Sequence, residues 1–232
     1  MKIAIHQPQY LPWLPYFLKI EDSDIFILLD SVEFQKNGLQ NRNQIKSAQG
    51  AHWLTVPVKQ QLGQKILDVK IDNKINWRRK HFQTIHHCYH KAASFKFYAP
   101  YLESLYEREW VNLNELNIEL ITMLMSWMNI HTPILRSSQM KAIGSSSDLV
   151  LNLCLEVGGS CYFSGLGGKN YLNQDAFQDA GLQIFYQDLK LPDAYPQMFP
   201  QVGFINHLSA LDILFNCGES WRDYLPSWSG MK

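Results

Sequence analysis

Short apolar runs, each stopped by a polar or proline-containing loop, open this chain and set its expected architecture. Lys2 to His6 is brief, apolar and ended by Gln7-Pro8, the pattern of a buried strand that stops at a loop. A helix should follow from about Leu14 to Asp22. Ile25 to Leu29 is then an unbroken apolar run between Asp24 and Asp30, as expected of a strand covered on both faces. Strand, helix and strand in such close succession imply a right-handed parallel βαβ unit.

Between Ser31 and Gly50 the pattern turns polar, with the amide-rich run FQKNGLQNRNQIKS, and predicts a long loop. Trp53 to Val58 and Ile66 to Ile71 read as strands, with Gly63 turning a hairpin between them. Trp77 to His90 and Val111 to Met128 read as helices, the second with Leu113, Leu116, Ile121, Leu124 and Met128 on or near one stripe. The last third returns to βα alternation. Strands are expected at Ile134 to Arg136, Cys161 to Phe163 and Gln183 to Tyr186. Helices are expected at Ser147 to Glu156, near Asp175 to Ala180, and at Ser209 to Asn216 before Gly218. Ser145, Ser146 and Ser147 offer an N-cap. The expected fold class is α/β: a sandwich on a mainly parallel sheet, one domain over residues 1–232 with a helical segment at about 76–128.

Composition narrows the function classes. Hydrophobic residues make up 46% and charged residues 18%, a globular balance. Lys plus Arg and Asp plus Glu both number 21, so no overall field draws DNA or RNA, and neither is expected as a partner. The one basic concentration, Trp77 to His81 with His86, His87 and His90 behind it, reads as a solvated helix face or a local basic patch. His86 and His90 lack an HExxH acid and a third ligand, and Cys88, Cys154, Cys161 and Cys217 form no CxxC pair, so no metal or cofactor is expected. No apolar run approaches the ~18 residues of a membrane span, and Met1 leads directly into KIAIHQP without a signal-peptide core. A cytoplasmic protein with reduced thiols is the expectation.

In open α/β sheets, ligands gather beyond the carboxyl ends of the strands. Three polar loops satisfy that rule. His6 is followed by Gln7, Gln9 and Tyr10 in a loop stiffened by Pro8 and Pro12. His6 reads as a general base or as a histidine satisfied within its loop. Asp30, at the end of its strand, adds a carboxylate and is the second candidate catalytic residue beside His6. Lys36, Asn37, Gln40, Asn41, Arg42, Asn43 and Lys46 supply donors suited to a phosphate, a carboxylate or sugar hydroxyls, or else make a hydrophilic surface loop. Ser164, Gly165, Gly167, Gly168 and Lys169 form a strand-to-turn segment that suits an anion or is a plain tight turn; its spacing matches neither GxxxxGK[ST] nor GxGxxG. If the first strand and the strand ending at Phe163 share one parallel sheet, His6, Asp30, Arg42 and Lys169 should converge on one cleft.

The blocks IAIHQPQYLPW, FQKNGLQNRNQIK, WLTVPV, WRRKH, YFSGLGGKNYL, Tyr195-Pro196-Gln197 and LSALDILFNCG resemble, in order, the WbqC-like family. That resemblance implies a bacterial protein of O-antigen and lipopolysaccharide biosynthesis. The implied activity is transfer of an acyl or aminoacyl group, such as glycine, to a nucleotide-linked amino sugar. On this view His6 would take a proton from the sugar amine, while Arg42, Asn43 and Lys169 would hold the nucleotide diphosphate. The partners would be a small-molecule substrate and donor, with association with glycan-biosynthesis enzymes. A non-catalytic sugar-nucleotide-binding or scaffold protein is the alternative, since 11 Tyr and 7 Trp suit sugar stacking or partner contacts equally. The opening strand, loop and helix also resemble HIGH-motif nucleotidylyltransferases, with Tyr10 and Trp13 in the two histidine positions. That likeness implies a Rossmann-like sheet.

Overall fold

The computed structural model describes residues 1–187 and 191–226. Its strands and helices run, in chain order, β1 (Lys2–His6), α1 (Leu14–Glu21), β2 (Ile25–Leu28), β3 (Arg42–Ser47), β4 (Gly50–Thr55), β5 (Val58–Lys59), β6 (Lys70–Ile71), α2 (Trp77–Tyr89), α3 (Phe95–Glu107), α4 (Leu113–Trp127), β7 (Ile134–Arg136), α5 (Ser146–Glu156), β8 (Cys161–Ser164), α6 (Gln174–Asp179), β9 (Gln183–Tyr186) and α7 (Leu211–Cys217). They fall into two compact units. The first holds Met1–Pro8, Pro15–Val32 and Ile130–Leu189, and the second holds Gln9–Leu14, Glu33–Asn129 and Lys190–Lys232.

The first unit is a Rossmann-like α/β sandwich on a five-stranded sheet of order β7-β2-β1-β8-β9, with every neighbouring pair parallel. Because side chains alternate along a strand, each face takes its own helices. Ile3 and Ile5 of β1, with Ile27 and Tyr162, pack against Leu149, Val150, Leu153 and Cys154 of α5 and Phe177 of α6. On the other parity, Phe26 meets the ring of Tyr16 on α1 at 5.4 Å. The sheet is thereby covered on both sides, which is why its strands are short apolar runs. From β1 the strand order grows outward both ways, through β2 to β7 and through β8 to β9, so the β1/β8 boundary is the topological switch point.

In the second unit, β3 pairs antiparallel with β4, and β5 with β6. Helices α2 and α3 pack on each other, and α7 contacts α3 and β3. A polar cluster lies inside this unit. The Asp212 carboxylate accepts from the Tyr89 hydroxyl at 2.7 Å, the Tyr195 hydroxyl at 2.7 Å and Gln197 Nε2 at 2.9 Å. Lys46 Nζ donates to Gln197 Oε1 at 3.0 Å and to the Gly203 carbonyl at 2.6 Å.

Three expectations need correction. The polar stretch from Ser31 to Gly50 is not one loop, since residues 42–47 form β3. Its inward positions Asn43 and Lys46 are polar, so hydropathy hid the strand; Asn43 Nδ2 donates to the Leu11 carbonyl at 2.7 Å. The strand expected at Trp53 to Val58 breaks after Thr55, where Pro57 cannot donate to a ladder, and Ile66 to Ile71 begins as a 3-10 turn over Ile66–Asp68. The hairpin around Gly63 survives as the short β5–β6 pair, with Gly63 at φ 74°. Finally, α3 lies within the helical segment expected at about 76–128 but is not predicted as a helix of its own. Pro100 inside it reads as a break, yet Phe95, Tyr98, Ala99, Leu102, Leu105 and Tyr106 form a buried helical stripe.

Candidate functional site at the switch point of the parallel sheet

Beyond the carboxyl ends of β1 and β8 the first unit has a half-open cavity of about 230 Å³. His6 and Gln7 line it from the end of β1, Lys19 from α1, and Ser164, Gly165, Gly167 and Gly168 from the end of β8. Ile5, Leu29 and Val150 supply apolar wall, with Tyr162 and Tyr171 also lining it. The switch-point rule thus unites the end of the first strand with the Gly-rich turn, about 160 residues apart.

The electrostatics follow from burial. His6 stands edge-on to Tyr16 at 5.1 Å, and its Nδ1 lies 3.1 Å from the Gln7 carbonyl. A carbonyl only accepts, so this contact places the proton on Nδ1 and leaves Nε2 as the ring's acceptor. Burial, with a smaller push from the Lys19 charge, lowers the His6 pKa to about 4, so the ring is neutral at physiological pH. Lys19 is 2% exposed, and its Nζ donates to the Ile5 carbonyl at 2.8 Å. Burial lowers its pKa to about 7. The Cys154 thiol is driven up to about 12, chiefly by burial, which keeps it unreactive.

The Gly-rich segment forms a 3-10 turn over Leu166–Asn170 rather than the start of an α-helix. Its glycines differ in what holds them. A Cβ on Gly168 would lie 2.0 Å from Ser164 Oγ and 2.9 Å from Leu172 Cδ1, so packing requires glycine there. A Cβ on Gly165 or Gly167 would meet nothing within 4 Å, and neither has a positive φ. Both line the cavity, and the Gly165 carbonyl accepts from Ser164 Oγ and from the Gly168 N–H, each at 3.0 Å.

Other expected residues do not line this cavity. The Asp30 carboxylate is fully buried at the end of β2 and accepts from Arg136 Nε at 3.1 Å, Ser137 Oγ at 3.1 Å, and the Ser138 backbone N–H and Oγ, each at 2.9 Å. It fastens the turn after β7 and does not line the cavity. Lys169 is exposed, its Nζ 5.1 Å from the Tyr186 ring centroid. Gln9, Tyr10, Lys36, Asn37, Asn41, Arg42 and Asn43 belong to the second unit. There, the Tyr10 hydroxyl bonds His81 Nδ1 at 2.8 Å and the Tyr106 hydroxyl. Gln9 is 8% exposed, and Lys36 and Asn37 are exposed. Asn41 Nδ2 donates to the Val56 carbonyl at 2.9 Å. Arg42 donates to the Asn37 carbonyl and stacks over Trp53 at 4.5 Å.

A family model for the WbqC-like protein family matches residues 7–224. The chain belongs to that family. "Uncharacterized protein Rv1507c" of Mycobacterium tuberculosis is 33% identical over 227 residues, covering 97% of each chain. No solved structure matches this WbqC-like chain. Among its described residues, no helix is long and apolar enough to cross a membrane, and no group of three or more His, Cys, Asp and Glu side chains is placed to hold a metal ion.

Sequence reasoning missed Lys19, the one lysine that lines the cavity among the described residues. It follows Phe17 and Leu18 on a helix whose residues from 14 to 20 are all buried, and a lysine on so apolar a helix was the available signal. The Asp212 cluster was also missed. Asp212 lies within the apolar run LSALDILF, where an isolated carboxylate implies buried partners.

Proposed function

We propose that this WbqC-like protein is a transferase of bacterial surface-polysaccharide (O-antigen) biosynthesis, moving an acyl or aminoacyl group such as glycine to the amine of a nucleotide-linked amino sugar. The supporting observation is the switch-point cavity, which brings together a neutral histidine and glycines with open space beside them. At about 230 Å³ it lies below the roughly 300–1,000 Å³ of a drug-sized site, so it suits the reacting end of a substrate rather than a whole sugar nucleotide.

In this mechanism the sugar amine attacks the acyl carbonyl, forming the new C–N bond. His6 Nε2 takes the proton released from the attacking nitrogen and returns it to the departing group as the acyl bond to the donor breaks. Asp30, with its oxygens already taken by Arg136, Ser137 and Ser138, has a holding role and no part in proton transfer.

The test incubates the purified protein with dTDP-amino sugars and acyl or glycyl thioesters and follows mass gain on the sugar. Product formation that falls at least about 100-fold in His6→Ala, with sugar-nucleotide binding retained, is the expected result. Binding without product from folded protein would point instead to a non-catalytic member of the glycan pathway.

A further inference from the structure

Lys19 is a buried cation with little to hold its charge. An ammonium has three donors, and the Ile5 carbonyl takes one. Among the described residues no carboxylate lies within ion-pair distance of it, in contrast to Lys2 with Asp22 at 2.9 Å. Among the described residues no acidic side chain lines the cavity either. Burying an ammonium without an anion is unfavourable, and the deficit sits where a ligand can reach it. A second observation points the same way. Gly165 and Gly167 need glycine neither for φ nor for packing, yet both line the same cavity and leave open space where a side chain would stand.

We propose that this cavity binds the carboxylate of a small carboxylic or α-amino acid, with Lys19 Nζ–H donating to one carboxylate oxygen and the open space at Gly165 and Gly167 admitting the ligand. One negative charge matches the one cation, and the cavity volume suits an acid of a few carbons. The proposal goes beyond the transferase assignment and does not depend on it: an acyl group held as a thioester has no free carboxylate, so the acid bound here is a separate ligand of the cavity and not the activated donor.

The groups facing Lys19 leave its titration distinct. His6 on β1 stays neutral above about pH 4, and Cys154 on α5 stays a thiol up to about 12. Burial holds the Tyr162 phenol on β8 well above its usual range. Acetate affinity should therefore be flat between about pH 5, below which the acid itself is protonated, and about pH 7, and fall above that by up to about tenfold per unit as Lys19 loses its proton.

The experiment titrates acetate and glycine against acetamide and glycinamide into the full chain by protein-observed NMR. The acids should bind and the amides bind at least about tenfold more weakly. Lys19→Met should lower acid affinity about 10- to 100-fold while keeping cooperative unfolding. Gly167→Val, which fills the open side, provides a second variant should Lys19→Met fail to fold, and should also abolish acid binding. Equal binding of acids and amides, no binding of either, or unchanged acid affinity in the folded variants would overturn the proposal. Turnover without acid selectivity would retain the transferase and remove the Lys19 anchor; acid selectivity without turnover would do the reverse.

Discussion

Two buried lysines face opposite circumstances. Lys46, 1% exposed, gives its ammonium to Gln197 and the Gly203 carbonyl in a cluster where Asp212 supplies negative charge. Lys19, 2% exposed, has one carbonyl, no carboxylate among the described residues, and a cavity beside it. Burial alone is common to both. A satisfied polar cluster holds a fold together, whereas an unsatisfied one on a cavity is completed by something that enters.

The largest effect should come from breaking the satisfied cluster. Asp212→Ala strands two tyrosine hydroxyls, the Gln197 amide and the Lys46 charge, and should cost about 3–5 kcal/mol in urea unfolding. Lys19→Met removes a cation without stranding a carboxylate and should be neutral or stabilising at pH 6. The pH dependence sharpens the contrast. The Lys19 pKa is about 7 when folded against 10.5 ordinarily, so the unfolded chain binds more protons between those values. Stability of the native protein relative to Lys19→Met should therefore rise from pH 7 towards 10 and be lowest below 7. Equal destabilisation by the two variants at pH 6 would end the distinction.

A second contrast lies within the turn after β8. Gly168→Ala forces a Cβ onto Ser164 Oγ and Leu172 and should cost about 1–3 kcal/mol by overpacking. Gly167→Ala enters open space and should change stability by less than about 0.5 kcal/mol, while lowering turnover in the mass assay. Turnover unchanged in Gly167→Ala would mean that substrate does not approach this backbone closely.

The sequence carried the parallel sheet because its strands are covered on both faces and need apolar residues throughout, as Ile25–Leu28 shows. The same logic concealed β3, where Asn43 and Lys46 take inward positions and are satisfied by partners far along the chain. Half of the cavity was legible, since strand ends and glycines are local signals; His6, Gln7, Ser164 and the glycines do line it. Asp30 was read as reactive because its place at a strand end is local information. Its saturation depends on Arg136, Ser137 and Ser138, more than 100 residues away. Lys19 was missed for the converse reason: its want of a counter-ion is a property of everything packed around it.

The smallest effect should fall on Lys169, the cation of the Gly-rich segment most suggestive of phosphate binding. It is exposed, lies over the Tyr186 ring and does not line the cavity. An exposed cation–π contact at 5.1 Å contributes about 0.5–1 kcal/mol at most, and side-chain entropy opposes it. Lys169→Ala should therefore shift unfolding by about 0.5 kcal/mol or less and leave acetate affinity within about twofold, in contrast to Lys19→Met. Its one sizeable effect should be on sugar-nucleotide affinity, and that effect should shrink as salt rises from about 50 to about 500 mM, since an exposed charge is screened over roughly a Debye length. If nucleotide affinity is also unchanged at low salt, the diphosphate does not rest on this lysine.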